Sequence, residues 1–166
     1  MKSIILAAGE GTRLRPLTLK IPKCLVKIFG KSLLEWQLDT FHNCNITDIV
    51  VITGYLKDLI NLPNIRYYNN PHYDKTNMVE TLFTAKDELK DSVIISYGDI
   101  IFEEHVLKSL INSEAIPITA NKPKNKQPVI KIVVLTAIVD RGSFKYCLNI
   151  FISLMYKKNL FIKIGS

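Results

Sequence analysis

Histidine and cysteine, the side chains that most often bind transition metals or act as nucleophiles, are scarce in this 166-residue chain, with three of each. His42, His72 and His105 lie far apart without ligand spacing, and Cys24, Cys44 and Cys147 form no motif. The odd thiol count offers no disulfide framework, and a reducing cytoplasm is the expected setting. Long hydrophobic runs are missing too. The longest, PVIKIVVLTAIV and CLNIFISLMY, fall well short of the roughly 20 residues a membrane helix needs, so no membrane partner is expected. Met1-Lys2-Ser3 leads straight into a strand-like run without a cleavage pattern. The common glycine signatures are also absent. No stretch matches G-x-x-x-x-G-K-[ST], and GEGTRL places Leu14 where a dinucleotide fingerprint needs its third glycine. No Ser-His-Asp or Cys-His set stands out.

Acidic residues are nearly lacking from one region. Residues 121–166 hold nine basic side chains and a single acid, Asp140, whereas residues 1–120 hold 13 basic and 14 acidic ones. The net charge of +7 therefore belongs to the C-terminal quarter and says little about the main body. That quarter shows no aromatic-basic alternation suited to stacking bases, and a nucleic-acid partner is not expected. A hydrophobic content of 48% argues for a packed core rather than disorder.

Two periodicities alternate over the first 120 residues. SIILAA, DIVVIT, NIRYYNN and SVIIS read as strands, the first two continuously apolar as in a sheet buried on both faces. Ser32 begins a helix with Glu35 completing a capping box and Leu34, Leu38 and Phe41 at helical spacing. A second, long helix is expected from Asn77, with Val79, Leu82, Phe83 and Leu89 along one face. EEHVLKSLINS reads as a third helix, and AIPITA as a fifth strand weakened by Pro117. The order predicts an α/β fold, Rossmann-like, with a mainly parallel sheet and helices on both faces.

In such sheets ligands bind at the carboxyl ends of the strands. That brings together the loop Ala8–Lys23, the turn Gly54–Tyr55 and the segment Tyr97–Asp99. Gly9 and Gly11 can bring backbone N–H groups close to phosphate oxygens, although G-x-G alone equally suits a strand-to-helix turn. Arg13 offers a permanent, bidentate charge and Lys23 a point charge. Asp99 suits a hard cation such as Mg²⁺. Together these parts fit phosphoryl or nucleotidyl transfer. Arg15 and Lys20 read as solvated, Trp36 and Tyr67–Tyr68 as packing residues, and Asn77 as a helix cap or a ligand contact in equal measure.

LAAGEGTRLRPLT, followed by Pro22-Lys23, resembles the signature of sugar-phosphate nucleotidyltransferases. The likeness continues through GKSLLEWQL, DIVVITGY, NNPHYDKTNMVETLF and VIISYGDIIFEEHVL, and is nearest the branch holding phosphocholine cytidylyltransferases and sugar-1-phosphate nucleotidyltransferases. It implies a fold of the nucleotide-diphospho-sugar transferase type. It also implies transfer of a nucleotide monophosphate from an NTP to a phosphorylated small-molecule acceptor, with release of pyrophosphate. On that resemblance Ala7, Ala8 and Gly9 line the nucleotide, and Gly11, Thr12 and Arg13 hold the triphosphate. Lys23 lies near the α-phosphate, Asp99 binds Mg²⁺, and Asn77 contacts base or acceptor. The resemblance marks residues 1–120 as the nucleotidyltransferase core and leaves 121–166 as a divergent basic segment. The expectation there is a truncated or frame-shifted tail lacking the second acidic metal ligand, or else a divergent ending whose apolar runs complete the sheet. A nucleotide-binding remnant without turnover is the alternative to an active enzyme.

Overall fold

KSIILA forms one of the two central strands of a six-stranded sheet. The computed structural model describes residues 1–90, 92–112, 117–118 and 130–135. In chain order these form β1 (Lys2–Ala7), the two-residue strands β2 (Lys27–Ile28) and β3 (Lys31–Ser32), α1 (Leu33–Asn43), β4 (Asp48–Thr53) and β5 (Arg66–Asn69). There follow α2 (Met78–Phe83), β6 (Val93–Tyr97), α3 (Glu104–Asn112), β7 (Pro117–Ile118) and β8 (Ile130–Leu135). The sheet runs β5-β4-β1-β6-β8-β7, parallel throughout except for the antiparallel pair β7 and β8, while β2 and β3 form a separate hairpin.

Alternation along the strands divides the core. Ile4 and Leu6 of β1 pack with Val50, Ile52, Val93 and Ile95 beneath Val79 and Leu82 of α2. Ile5 and Ala7 face the other way, toward Leu34, Leu38 and Phe41 of α1 and Leu107 of α3. Helices therefore cover both faces, which a continuously apolar strand requires. Ser32 caps α1 as its spacing predicts. Its Oγ accepts from the Glu35 amide at 3.2 Å, and the Glu35 carboxylate accepts from the Ser32 amide at 2.7 Å.

Two expectations are corrected. The helix from Asn77 is short, ending at Phe83, and a separate 3₁₀ turn at Lys86–Glu88 follows. There the backbone bonds tighten to a three-residue step, with Thr84 N–H to Thr81 and Ala85 N–H to Leu82, while the Thr84 hydroxyl also donates to the Thr81 carbonyl. Of AIPITA only Pro117–Ile118 is a described strand, and it sits at the sheet edge, where a missing N–H costs least. The rest of that stretch lies outside the described residues. β8 joins the sheet parallel to β6, from Val93 opposite Ile132 to Ser96 opposite Leu135.

At the amino ends of the strands a charged cluster ties β1, β4 and β5 to the turn after α2. Lys2 pairs with Glu88, and Arg66 reaches Asp48 at 2.7 Å and Glu88 at 3.0 Å. The Tyr68 hydroxyl donates to Glu88 at 2.9 Å. The Lys2 ammonium chiefly, then Tyr68 and Arg66, hold the Glu88 carboxyl at about 2 against the opposing effect of its burial. A carboxyl depressed in the folded state stabilises above its ordinary value of 4.5 and ceases to as pH falls toward 2. Melting temperature against pH is accordingly expected to fall over that window in the native chain. Glu88→Gln should lower the neutral-pH plateau and flatten the acid limb, and an unchanged limb would remove Glu88 from the account.

Candidate functional site

The carboxyl ends of β1, β4 and β6 lie side by side, Ala7 opposite Thr53 and Leu6 opposite Tyr97. The loops leaving them stay in contact. The Tyr55 amide donates to the Ala8 carbonyl at 3.0 Å, and the Gly98 amide to the Leu6 carbonyl at 2.8 Å. A Cβ at position 54 would lie 2.7 Å from both the Ala8 oxygen and the Tyr73 Cβ, so these backbones meet only around a glycine.

A cleft of about 310 Å³ opens at these strand ends. All nine residues singled out in the sequence line it. Ala7, Ala8 and Gly9 come from the end of β1, and Gly11, Thr12 and Arg13 from the loop after it. Lys23 follows from the same loop, Asn77 from the start of α2, and Asp99 from the turn after β6. Gly11 holds a left-handed conformation (φ 64°) that starts the 3₁₀ turn Thr12–Leu14, and a Cβ there would meet the Lys23 Cβ at 3.0 Å. The buried Thr18 hydroxyl fixes this bend from below the surface, donating to the Gly11 carbonyl at 2.8 Å.

Charge is distributed unevenly around the loop. Arg15 pairs with Glu10 at 3.0 Å on the surface, whereas Arg13 is exposed and has no ion-pair partner among the described residues. Lys23 and Asp99, 76 positions apart in sequence, form an ion pair with each side chain about one-third exposed (34% and 33%). Cys24 also lines the cleft, but burial pushes its thiol up to about 12, so it stays protonated at neutral pH and is no nucleophile. Asp99 is the one carboxylate among the described lining residues, and no cluster of three or more metal-ligating side chains occurs among the described residues.

Asn77 is both a cap and a lining residue. Its Oδ1 accepts from the amides of Val79 and Glu80, each at 3.0 Å, which leaves Nδ2 as the part a ligand could use. Tyr97 and Gly98 line the cleft from the segment expected there, and Tyr73, Thr76 and Thr81 line it without having been singled out. Behind them stand two buried amides. Asn70 donates to the hydroxyls of Thr76 at 2.8 Å and Thr81 at 2.9 Å and accepts from the His72 amide at 3.0 Å. Gln37 of α1 donates to the Tyr97 carbonyl at 2.8 Å and accepts from the Ser96 hydroxyl at 2.9 Å. The available signal for Gln37 was a polar residue three places after Leu34, on the apolar face of its helix.

The profile of the MobA-like NTP transferase domain matches residues 3–139. The chain is 40% identical over 134 residues to the CTP:phosphoglutamine cytidylyltransferase of Campylobacter jejuni, covering 74% of this chain and 53% of that one. It is 37% identical over 118 residues to the choline-phosphate cytidylyltransferase of Streptococcus pneumoniae, covering 68% and 51%. The solved structure of a CTP:phosphocholine cytidylyltransferase from S. pneumoniae superposes with a TM-score of 0.57 at 37% identity, over 63% of this chain and 49% of that chain. The chain thus spans about half the length of the curated relatives it matches.

Gln37 fixes the strand end that presents Gly98 and Asp99. Gln37→Leu leaves the buried Ser96 hydroxyl without its acceptor and removes a bond to the Tyr97 carbonyl, and should cost about 2 kcal/mol in a urea titration. A loss below a few tenths would show that neither group depends on the amide.

Proposed function

Because the chain belongs to the family of MobA-like NTP transferase domains, we propose that it binds CTP in the cleft at the ends of β1, β4 and β6. There it transfers cytidine monophosphate to the phosphate of a small phosphorylated acceptor. The observation that carries this reading is the convergence of Gly11–Arg13, Lys23 and Asp99 on one cleft. Two relatives that by name act on phosphoglutamine with CTP or on choline phosphate support the choice of nucleotide and of a phosphate-bearing acceptor.

The roles follow from charge and reach. Backbone groups of Ala7, Ala8 and Gly9 meet the nucleoside, because little side chain stands between backbone and cleft there. Gly11 and Thr12 turn the chain so that Arg13 meets the β- and γ-phosphates, the charge that grows on the leaving pyrophosphate. Lys23 supplies a point charge for an α-phosphate oxygen. An acceptor phosphate oxygen forms the new bond to the α-phosphorus while the bond to the bridging oxygen of the β-phosphate breaks. No protein nucleophile is required, in keeping with a protonated Cys24.

A single carboxylate fits a divalent ion that arrives on the triphosphate, since Mg²⁺ takes one or two protein carboxylates and fills its shell with phosphate oxygens and water. Asp99 would hold it, and the ion, when bound, would neutralise and orient the phosphates. Such a reaction draws on cellular NTP and Mg²⁺, so the cytoplasm is the compartment this reading requires.

A thermal-shift panel of CTP, UTP, dTTP, GTP and ATP with Mg²⁺ tests it, because a ligand that binds only the native state raises the melting point. CTP should give the largest shift. Arg13→Ala and Asp99→Asn should abolish most of that shift while melting normally without ligand, and unaltered shifts in both would overturn the assignment. Release of pyrophosphate from CTP when a phosphorylated acceptor such as choline phosphate is added then separates transfer from binding alone.

A further inference from the structure

The loop of residues 9–23 carries Arg13 and Lys23 yet contains only two single 3₁₀ turns, Thr12–Leu14 and Lys23–Leu25. Its internal backbone bonds are all local, such as Leu14 N–H to Gly11, Leu17 N–H to Leu14 and Leu19 N–H to Pro16. Local bonds of this kind give the loop a shape but do not anchor it to the sheet. Tyr55 supplies an anchor at two points. Its amide donates to the Ala8 carbonyl at the start of the loop, at 3.0 Å. Its phenol hydroxyl reaches the carbonyls of Thr18 at 3.1 Å and Leu19 at 3.0 Å, which share the one proton. The bend at Gly11 hangs from the same place, through the Thr18 hydroxyl.

The ring of Tyr55 has a second neighbour. Tyr73, a cleft-lining residue from the segment before α2, packs edge-on against it with centroids 6.1 Å apart. The residue after Tyr55 is Leu56, held in the left-handed region at φ 46°. A leucine there is a genuine outlier, and such outliers persist where the surroundings over-determine them. It turns the chain sharply just after the ring that touches both loops.

We infer that Tyr55, which does not itself line the cleft, is the positioning residue that holds the Gly11–Arg13 bend in its phosphate-binding place and couples it to Tyr73. The inference rests on the nucleotide reading above for what the bend binds, but not for the anchoring itself. The Tyr55→Phe variant removes the hydroxyl and keeps the ring, the amide and the Leu56 turn.

Two measurements test it. In the ligand-free protein, hydrogen exchange at the amides of Leu14, Arg15, Leu17 and Leu19 should quicken in Tyr55→Phe while exchange in β1, β4 and β6 stays slow and the melting temperature falls by only a few degrees. By calorimetry, CTP with Mg²⁺ should bind about fivefold more weakly, the usual effect of losing one hydrogen bond. CMP should bind equally to both proteins, because its contacts to Ala7–Gly9 do not hang from the phenol. Unchanged exchange together with unchanged CTP affinity would overturn the inference, as would an equal loss for CTP and CMP, which would mark a general loosening of the cleft. If CTP does not bind the native chain at all, the nucleotide reading falls, and the exchange rates still decide whether Tyr55 braces the loop.

Discussion

β1 runs between β4 and β6 with Ala7 opposite Thr53 and Leu6 opposite Tyr97, and the cleft exists only in that register. A slip of one residue would carry Ile4 and Leu6 to the face of α1 and Ile5 and Ala7 to the face of α2. It would also move Ala8 away from Gly54, where the backbones approach too closely for any side chain. The two-sided burial of these strands therefore does more than stabilise the sheet. It fixes where three loops emerge, and so which side chains can meet above them. Asp99 faces Lys23 across 76 residues of sequence because β6 and β1 are locked together, not because anything local directs it there.

The positive charges of the loop after β1 are in different states. Lys23 is matched by Asp99, and Arg15 by Glu10, whereas Arg13 has no counterion among the described residues. An exposed guanidinium costs little to leave unpaired in water, and it stays ready for an anion with several oxygens. The Lys23–Asp99 pair behaves differently. Partly exposed, it contributes little to stability, and a phosphate bearing its own cation can replace both halves at once. On the proposed reading, the arrangement suits a ligand that brings negative charge and a divalent ion together.

Much of this was legible before the structure. The apolar runs predicted β1, β4 and β6, the capping boxes placed the starts of α1 and α2, and the loops after the strands brought Gly9, Gly11, Arg13, Lys23 and Asp99 to one cleft, to which the family resemblance added Ala7, Ala8, Thr12 and Asn77. What periodicity could not tell was the backbone path after Phe83. Val79, Leu82, Phe83 and Leu89 all pack on one cluster, as their spacing predicted, but Leu89 arrives there through a 3₁₀ turn. Hydrophobic spacing reports which side chains are buried and leaves the local winding open. The roles of Gln37, Asn70 and Tyr55 were also hidden, because each acts through carbonyls or hydroxyls 6 to 60 residues away.

Those three residues share a physical logic. Burying an amide costs free energy unless its partners are supplied, and Gln37 and Asn70 find theirs on the strand ends and the loop that form the cleft. A polar side chain in that position ties two elements at one defined distance, which a leucine of equal size cannot do. Packing against α1 would hold β6 anywhere along a range of small shifts, whereas the bonds from Gln37 to Ser96 and Tyr97 choose one. The cleft thus has two tiers: residues that face its space, and residues behind them that determine how far apart the first stand. A substitution in the second tier leaves every lining side chain present while changing the distances between them, and the proposed fit to a phosphate chain depends on those distances.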